Sequence, residues 1–211
     1  MAVIKDATSS TTLAVDPTSK AARVTLYNPD GTTATPAPVG SYVAQFIKLR
    51  SAAAPTAGAL LWVMANAATR TARVRRILLN CAFDGVATAT NSQAYEFVRI
   101  TSGAAVAWNT GTELVKDKKK TTYPASTLQT VRQNAGNAIT LPAGVAVPAE
   151  GFATFGVPRS VSGVSTAYVW EFGDASINLF ELAAYEGIGL VSRVAGIAGD
   201  FVSGFIEWDE V

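Results

Sequence analysis

The residues of this chain that can do acid–base chemistry are carboxylates, because the sequence contains no histidine. Two pairs lie close together in sequence, Glu171 with Asp174 and Glu207 with Asp209. Two carboxylates on either side of a sugar can hydrolyse a glycosidic bond. Glu207 and Asp209, however, share one face of a predicted strand, where we expect a solvated acidic surface. A Ser-His-Asp triad cannot form without histidine. The sequence therefore predicts a protein that is not an enzyme.

Metal and cofactor chemistry also lacks its usual residues. One cysteine, Cys81, cannot form an internal disulfide, and without histidine it cannot complete a His/Cys metal cluster. Cys81 alternates with apolar neighbours, which predicts a buried and unreactive thiol. The chain has no phosphate-binding Gly-Lys-Ser/Thr loop and no dinucleotide fingerprint. We therefore predict no cofactor and no metal.

The densest group of charges is the basic segment 116–120, Lys-Asp-Lys-Lys-Lys. One interpretation is a loop that binds an acidic neighbour through Lys116, Lys118, Lys119 and Lys120. The other is a solvated hairpin tip, and it is favoured because nucleic-acid-binding faces usually combine several basic stretches with aromatic residues. We predict no specific nucleic-acid partner.

Charge is divided unevenly along the chain. Residues 1–149 contain 15 basic and 7 acidic residues, whereas residues 150–211 contain 2 and 9. Opposite charges of the two parts can attract within one fold or between copies. Arg73 and Arg75 share a predicted strand face, and acids from the C-terminal part are candidates to pair with them.

The chain is more apolar than an average soluble domain. Hydrophobic residues make up 49% and charged residues 16%, against about 25% charged in typical domains. No apolar run approaches the roughly 20 residues that a membrane helix needs. A high alanine content can inflate this average, but we expect much of the apolar surface to lie in subunit interfaces. The predicted assembly is a closed homo-oligomer, a homotrimer, with no membrane partner.

Alternation with period two is the main structural signal from residue 41 onward. It predicts strands around 77–83, 95–100, 168–172, 188–194 and 201–208. In the first of these, Leu78 and Ala82 make the face that carries Arg76 and Asn80 partly apolar, as in a strand covered on both sides. Frequent glycine and proline between short strands predict an all-β fold, a jelly-roll-like antiparallel β-sandwich over residues 41–211. Residues 126–133 are predicted as a short helix capped by Ser126. Residues 52–68 can be helical, with a strand at 60–64 as the alternative.

The first forty residues have a different composition. Polar stretches at 6–12 and 32–40 surround one predicted strand, Ala22–Tyr27. A lone strand cannot bury its apolar side, so residues 1–40 are predicted to be an extended arm that attaches to another surface. Candidate contact residues in this arm are Val15, Arg23, Val24, Leu26 and Tyr27.

The segment Ala14–Asn28, Ala-Val-Asp-Pro-Thr-Ser-Lys-Ala-Ala-Arg-Val-Thr-Leu-Tyr-Asn, resembles the N-terminal region of many tailed-bacteriophage virion proteins. Several later segments resemble the same kind of phage structural protein: 61–66, 83–85, 123–125, 180–182, 186–187 and 204–209. The resemblance spans nearly the whole chain. It implies a β-sandwich displayed on or in the virion as a closed oligomer, with no enzymatic residues.

The expected function is therefore that of a capsid cement, or decoration, protein on the virion surface, with the major capsid protein as its partner. One alternative is a neck, tail or head-fibre component built on the same plan. An alternative from another class is a module that binds host glycans through exposed aromatics. Its candidate residues are Trp62, Trp108, Trp170 and Trp208, all in segments where core packing is favoured.

Overall fold

The structure is a computed structural model. It describes residues 14–15, 22–23, 40–50, 56–67, 70–83, 93–134, 138–157, 165–172, 180–194 and 199–211. These residues contain fourteen β-strands and no helix, so the all-β prediction is confirmed. The strands are β1 Ala14–Val15, β2 Ala22–Arg23, β3 Gly40–Arg50, β4 Leu60–Ala65, β5 Ala72–Phe83, β6 Gln93–Thr101, β7 Thr112–Glu113, β8 Asp117–Lys118, β9 Thr130–Gln133, β10 Ala153–Val157, β11 Ser165–Glu171, β12 Phe180–Leu182, β13 Glu186–Ser192 and β14 Asp200–Glu210. In this described part, no helix is long and apolar enough to cross a membrane.

The chain divides into two compact units, Met1–Ala37 and Pro38–Val211. In the N-terminal unit, β1 and β2 pair antiparallel, with Ala14 opposite Arg23 and Val15 opposite Ala22. The strand predicted from Ala22 thus has a partner inside its own unit. Three of its candidate contact residues lie outside the described residues: Val24, Leu26 and Tyr27.

The larger unit contains two antiparallel sheets of six strands each. Sheet I has the order β11-β5-β14-β3-β8, and β12 also pairs with β5. Sheet II has the order β10-β6-β13-β4-β9-β7. Strands from the basic and the acidic parts of the sequence are neighbours in both sheets. The opposite charges therefore meet within one fold.

The long strands pair in a nested pattern. In sheet I, β3 pairs with β14 and β5 with β11. In sheet II, β4 pairs with β13 and β6 with β10. The first half of the unit thus runs antiparallel to the second half, and successive pairs are placed in alternate sheets. This arrangement brings the first and last strands, β3 and β14, together inside sheet I.

The main core lies between the facing sides of the two sheets. Trp62 of sheet II packs against Phe46 of sheet I, with ring centroids 5.3 Å apart. Phe97 of sheet II meets Trp170 of sheet I edge-on at 5.7 Å, and Phe155 meets Tyr168 at 5.6 Å. Large aromatic side chains fill the roughly 10 Å between packed sheets.

Sheet II is covered on its other side as well. A second apolar cluster joins Val63 and Val98, on the strands, to Trp108 and Ile139 in the connecting segments. Every residue of β4 is therefore buried, which explains its unbroken apolar sequence. The strand interpretation of residues 60–64 is confirmed.

The helix predicted at residues 126–133 is wrong. Thr130–Gln133 forms β9, which pairs with β4 and β7. The Ser126 hydroxyl does accept a hydrogen bond from the Leu128 N–H, as in a cap, but no helix follows. The β-branched pair Thr130-Val131 fits a strand position, and both residues are buried there.

Gly204 of β14 is required where two backbones approach closely. A Cβ at this position would lie 1.9 Å from the carbonyl oxygen of Leu78 on β5. We expect Gly204→Ala to lower the free energy of unfolding by about 2 kcal/mol, since the strands must separate locally. Chemical denaturation measures this change, and Ser203→Ala on the same strand is the control. Equal stability of the two variants would contradict the close approach.

Candidate docking surface

One side of sheet I faces away from the core and carries apolar residues that remain accessible. We call it the outer face; its residues alternate along four strands with the buried core residues. The outer face consists of Val43, Gln45, Leu78, Asn80, Ala82, Ala167, Val169, Phe201, Ser203 and Phe205, and of a charged border given below.

An apolar row crosses the middle of the outer face. Phe205 lies opposite Leu78, and Leu78 opposite Val169. On β3 the polar Gln45 lies opposite Phe205 and ends the row. Phe205 and Leu78 are half-buried, and Val169 is 48% exposed. Contiguous exposed apolar side chains on a sheet face are typical of an interaction site.

A row of alternating charges borders the apolar row. Glu207 lies opposite Arg76, and Arg76 lies opposite Glu171. The Lys119 ammonium is 2.9 Å from Glu207, and the Arg76 guanidinium is 3.5 Å from Glu171. By register this row carries Asp117 on β8, Val43 on β3, Glu207 on β14, Arg76 on β5 and Glu171 on β11. The Lys119 ammonium reaches the row from the residue after β8, so the signs read plus, minus, plus, minus from this ammonium to Glu171. The Arg76 guanidinium also lies over the ring of Phe205, 5.6 Å from its centroid, which joins the charged row to the apolar row.

A bulge in β5 determines which of its side chains point to the outer face. Glu207 pairs with Arg76 and Trp208 with Val74, so Arg75 is an extra residue in the ladder. Beyond the bulge, Ile77 and Leu79 are buried in the core while Leu78 is half-buried on the other side. The sequence predicted β5 to be covered on both sides. The structure shows that its second side is only partly covered, with Asn80 exposed.

The four lysines of segment 116–120 have different environments. Lys116 donates to the Leu128 carbonyl and pairs with Glu113, 3.4 Å away. Lys119 pairs with Glu207. Lys120 lies over the Tyr123 ring at 5.7 Å, and Lys118 is exposed on β8. Lys116 and Lys119 are therefore paired with carboxylates inside the chain. Lys118 and Lys120 are the ones that remain for an external partner.

The acidic end of β14 is not a solvated surface, and that prediction is wrong. Asp209 is 8% exposed, accepts a hydrogen bond from the Ser41 hydroxyl and lies 3.1 Å from Arg75. Arg73 pairs with Glu181 at 2.5 Å. The prediction that C-terminal acids pair with Arg73 and Arg75 is confirmed. The carboxylate pair of Glu171 and Asp174 lies partly outside the described residues, which include Glu171 only.

Glu210 forms a buried link that the sequence did not reveal. Its carboxylate accepts hydrogen bonds from the Ser126 hydroxyl at 2.5 Å and from the Thr127 N–H and hydroxyl at 2.9 and 2.7 Å. Burial by itself raises the pKa of Glu210, but the hydrogen bonds from Ser126, Thr127 and Trp208 outweigh it and hold the pKa below its usual value. Ser126, which the sequence suggested as a helix cap, instead joins Thr127 in connecting this loop to β14.

Cys81 is fully buried, as predicted, and burial raises the pKa of its thiol to about 12. Of the four tryptophans, Trp62, Trp108 and Trp208 are buried, and Trp170 is half-buried against the core. The preference for core packing is confirmed. A cavity of about 10 Å³ beside Trp108 and Tyr185 has room for about one water molecule, not for a sugar.

The described residues contain no group of three or more His, Cys, Asp or Glu side chains that could hold a metal ion. Comparison of the chain with protein families, with curated proteins and with solved structures finds no match. The outer face of sheet I is therefore identified as the candidate site on geometry and chemistry alone.

Proposed function

We propose that this protein is a bacteriophage capsid decoration protein, which binds neighbouring major capsid subunits on the virion surface and stabilises the contact between them. The observation that carries the proposal is the outer face of sheet I. A partly exposed apolar row with a border of ion pairs is suited to binding a protein surface.

The proposed fold is a jelly roll. Its support is the nested pairing of β3 with β14, β4 with β13, β5 with β11 and β6 with β10. Jelly rolls are double-sheet antiparallel folds that recur in viral capsid and lectin domains. The fold is shared by proteins of many functions, and a virion role is one of them.

The proposed mechanism is mechanical. The N-terminal arm, with Val15 and Arg23 among its contact residues, lies on the capsid and is anchored by the folded unit. An arm that buries about 300 Å² of apolar surface contributes several kcal/mol at about 25 cal/mol per Å². The cost of ordering the arm reduces this gain. The closed oligomer, for which we propose a trimer, presents several arms at once and gains avidity.

A neck, tail or head-fibre role remains the alternative with the same architecture. Such components occur in small multiples of a symmetry number, whereas a decoration protein follows the copy number of the capsid lattice. The glycan-binding alternative has weaker support, because three of its four candidate tryptophans are buried.

The proposal is tested by adding the purified chain to capsids that lack it. We expect binding that saturates at a fixed ratio to the major capsid protein and raises the temperature at which capsids open, since the bound state is stabilised by mass action. Cosedimentation measures the ratio, and calorimetry measures the opening temperature. Absence of binding to capsids, together with binding to isolated tails, would favour the tail alternative.

Lys118 and Lys120 are expected to contribute an electrostatic part of the attachment. Their replacement by Ser should raise the dissociation constant for capsids by about threefold at low salt, since each exposed pair contributes under about 1 kcal/mol. The difference from wild type should vanish at high salt, where exposed charges are screened. Titration of capsids at two salt concentrations measures this, with melting curves as the control for folding. If the variant and the wild type occupy capsids equally at both salt concentrations, the two lysines make no contact with the capsid.

A further inference from the structure

We infer that the outer face of sheet I binds the outer face of a second copy of this chain, about a two-fold axis parallel to the strands. The inference goes beyond decoration of a capsid, because it concerns contact between copies of the chain in solution. A face covered by a second copy is not free for a capsid subunit, so the two contacts would compete for it. It is carried by the order of charges in the border row and by the apolar row beside it.

The border row is complementary to itself. Across the central strands its order is Val43, Glu207, Arg76 and Glu171, and the Lys119 ammonium, which reaches in from the residue after β8, lies at the β3 end of the row, 2.9 Å from Glu207. A two-fold axis that lies between the two faces, parallel to the strands, leaves each row at the same height along the strands. It reverses the order in which the strands follow one another across the sheet. Lys119 then faces Glu171 of the other copy, and Glu207 faces Arg76 of the other copy. All four cross-contacts join opposite charges, whereas a row of one sign would repel its own copy.

The apolar row follows the same symmetry. Reversal of the order Gln45, Phe205, Leu78, Val169 places Phe205 against Leu78 of the other copy and Gln45 against Val169. A single two-fold axis, midway between β14 and β5, therefore gives complementary contacts in both rows. Such an interface is isologous: each contact occurs twice.

The area of the outer face indicates how strongly two copies should associate. Four strands at about 4.8 Å spacing and four outward rows at about 6.8 Å give roughly 500 Å² on each copy. This is less than the roughly 800 Å² that each partner buries in a stable complex. We therefore expect a reversible association that depends on protein concentration. If the chain is a trimer, as proposed, a two-fold contact between trimers gives an assembly of six chains. If the chain is otherwise a monomer, the contact gives a dimer.

The first test replaces Val169, which is 48% exposed, with Glu. Sedimentation equilibrium should show that the wild-type mass rises with concentration to an even number of chains and that V169E stops at half that number. The matched control is Val115→Glu, since Val115 is 71% exposed outside the outer face; it should behave as wild type. A wild-type mass that ends at an odd number of chains, or that is the same for V169E, would overturn the inference.

The second test depends on the symmetry itself. Glu171→Lys and Lys119→Glu each place like charges in two symmetry-related contacts, so each variant alone should dimerise about tenfold more weakly. In a mixture, the new lysine of the first variant faces the new glutamate of the second, and all four cross-contacts are opposite in sign again. The mixture should therefore associate about as strongly as wild type. A mixture that associates no better than the two variants separately would contradict the two-fold arrangement.

These measurements need no capsid. A failure of self-association leaves capsid binding to be tested separately, and a failure of capsid binding leaves the two-fold contact intact. A charge variant that still decorates capsids but no longer self-associates would assign the two functions to different surfaces.

Discussion

A chain that lacks Met1–Ala37 is expected to fold as a β protein and to leave capsids undecorated. Both six-stranded sheets lie in the unit Pro38–Val211, so we expect this unit to fold by itself. In the proposed mechanism, attachment depends on arms that act together, so their loss should remove both contact area and avidity. Cosedimentation with capsids should show at least a hundredfold loss of binding, corresponding to about 3 kcal/mol.

The truncation has to end before residue 40. Gly40 is the first residue of β3 and lies opposite Glu210 on β14, so removing it would disturb sheet I. The control is the circular dichroism spectrum and melting temperature of the truncated chain, which should match those of the full chain. A truncated chain that unfolds, or that decorates capsids normally, would refute the role of the arm.

The second large effect is expected for Glu210→Ala. The substitution leaves the half-buried Thr127 N–H and the Ser126 and Thr127 hydroxyls without their acceptor. Hydrogen bonds to a charged group contribute about 1.5–3 kcal/mol each, and they are not additive. We expect the free energy of unfolding to fall by about 4 kcal/mol, as measured by denaturant titration. Glu150→Ala, at an exposed carboxylate, is the control and should change little.

The same carboxylate gives stability a defined pH dependence. The folded-state pKa of Glu210 lies below its ordinary value of 4.5, and the folded-state pKa of Glu96 is lowered likewise. A lowered pKa contributes stability that is present above the unfolded pKa and is lost as pH falls through the folded one. Stability should therefore decline below about pH 4.5, and less steeply in Glu210→Gln. An equal decline in both proteins would contradict the lowered pKa of Glu210.

The strands of the larger unit could be predicted because their evidence is local. Alternation such as Ile77, Leu79, Cys81 and Phe83 marks one buried side wherever a strand faces a core. The pairing of these strands could not be derived in the same way. The partners β3 and β14 lie at opposite ends of the unit, and no local pattern specifies which distant strand lies beside which.

The errors have related causes. Ser126-Thr127 has the chemistry of a helix cap, and only the fold shows that the groups it satisfies belong to Glu210. Asp209 looks like a surface acid until Arg75 and Ser41 are brought beside it. In both cases a polar side chain acts through a partner more than 80 residues away.

The outer face of sheet I was only partly visible in the sequence. Arg76, Leu78 and Asn80 were placed on one side of β5, but that side was expected to be covered. The alternation of charge across Lys119, Glu207, Arg76 and Glu171 depends on the register of neighbouring strands. These charges come from distant segments of the sequence, so their alternation can be recognised only when the strand order and register are known.

The central claim, that this chain decorates a capsid, is tested most directly by the ratio of this chain to the major capsid protein in purified virions. Quantitative mass spectrometry of labelled peptides from both proteins measures it. We predict hundreds of copies per particle, in a fixed ratio to the capsid subunits. A count of a few copies in multiples of three or six would contradict decoration and assign the chain to the neck, tail or fibres, and its absence from virions would contradict a virion role.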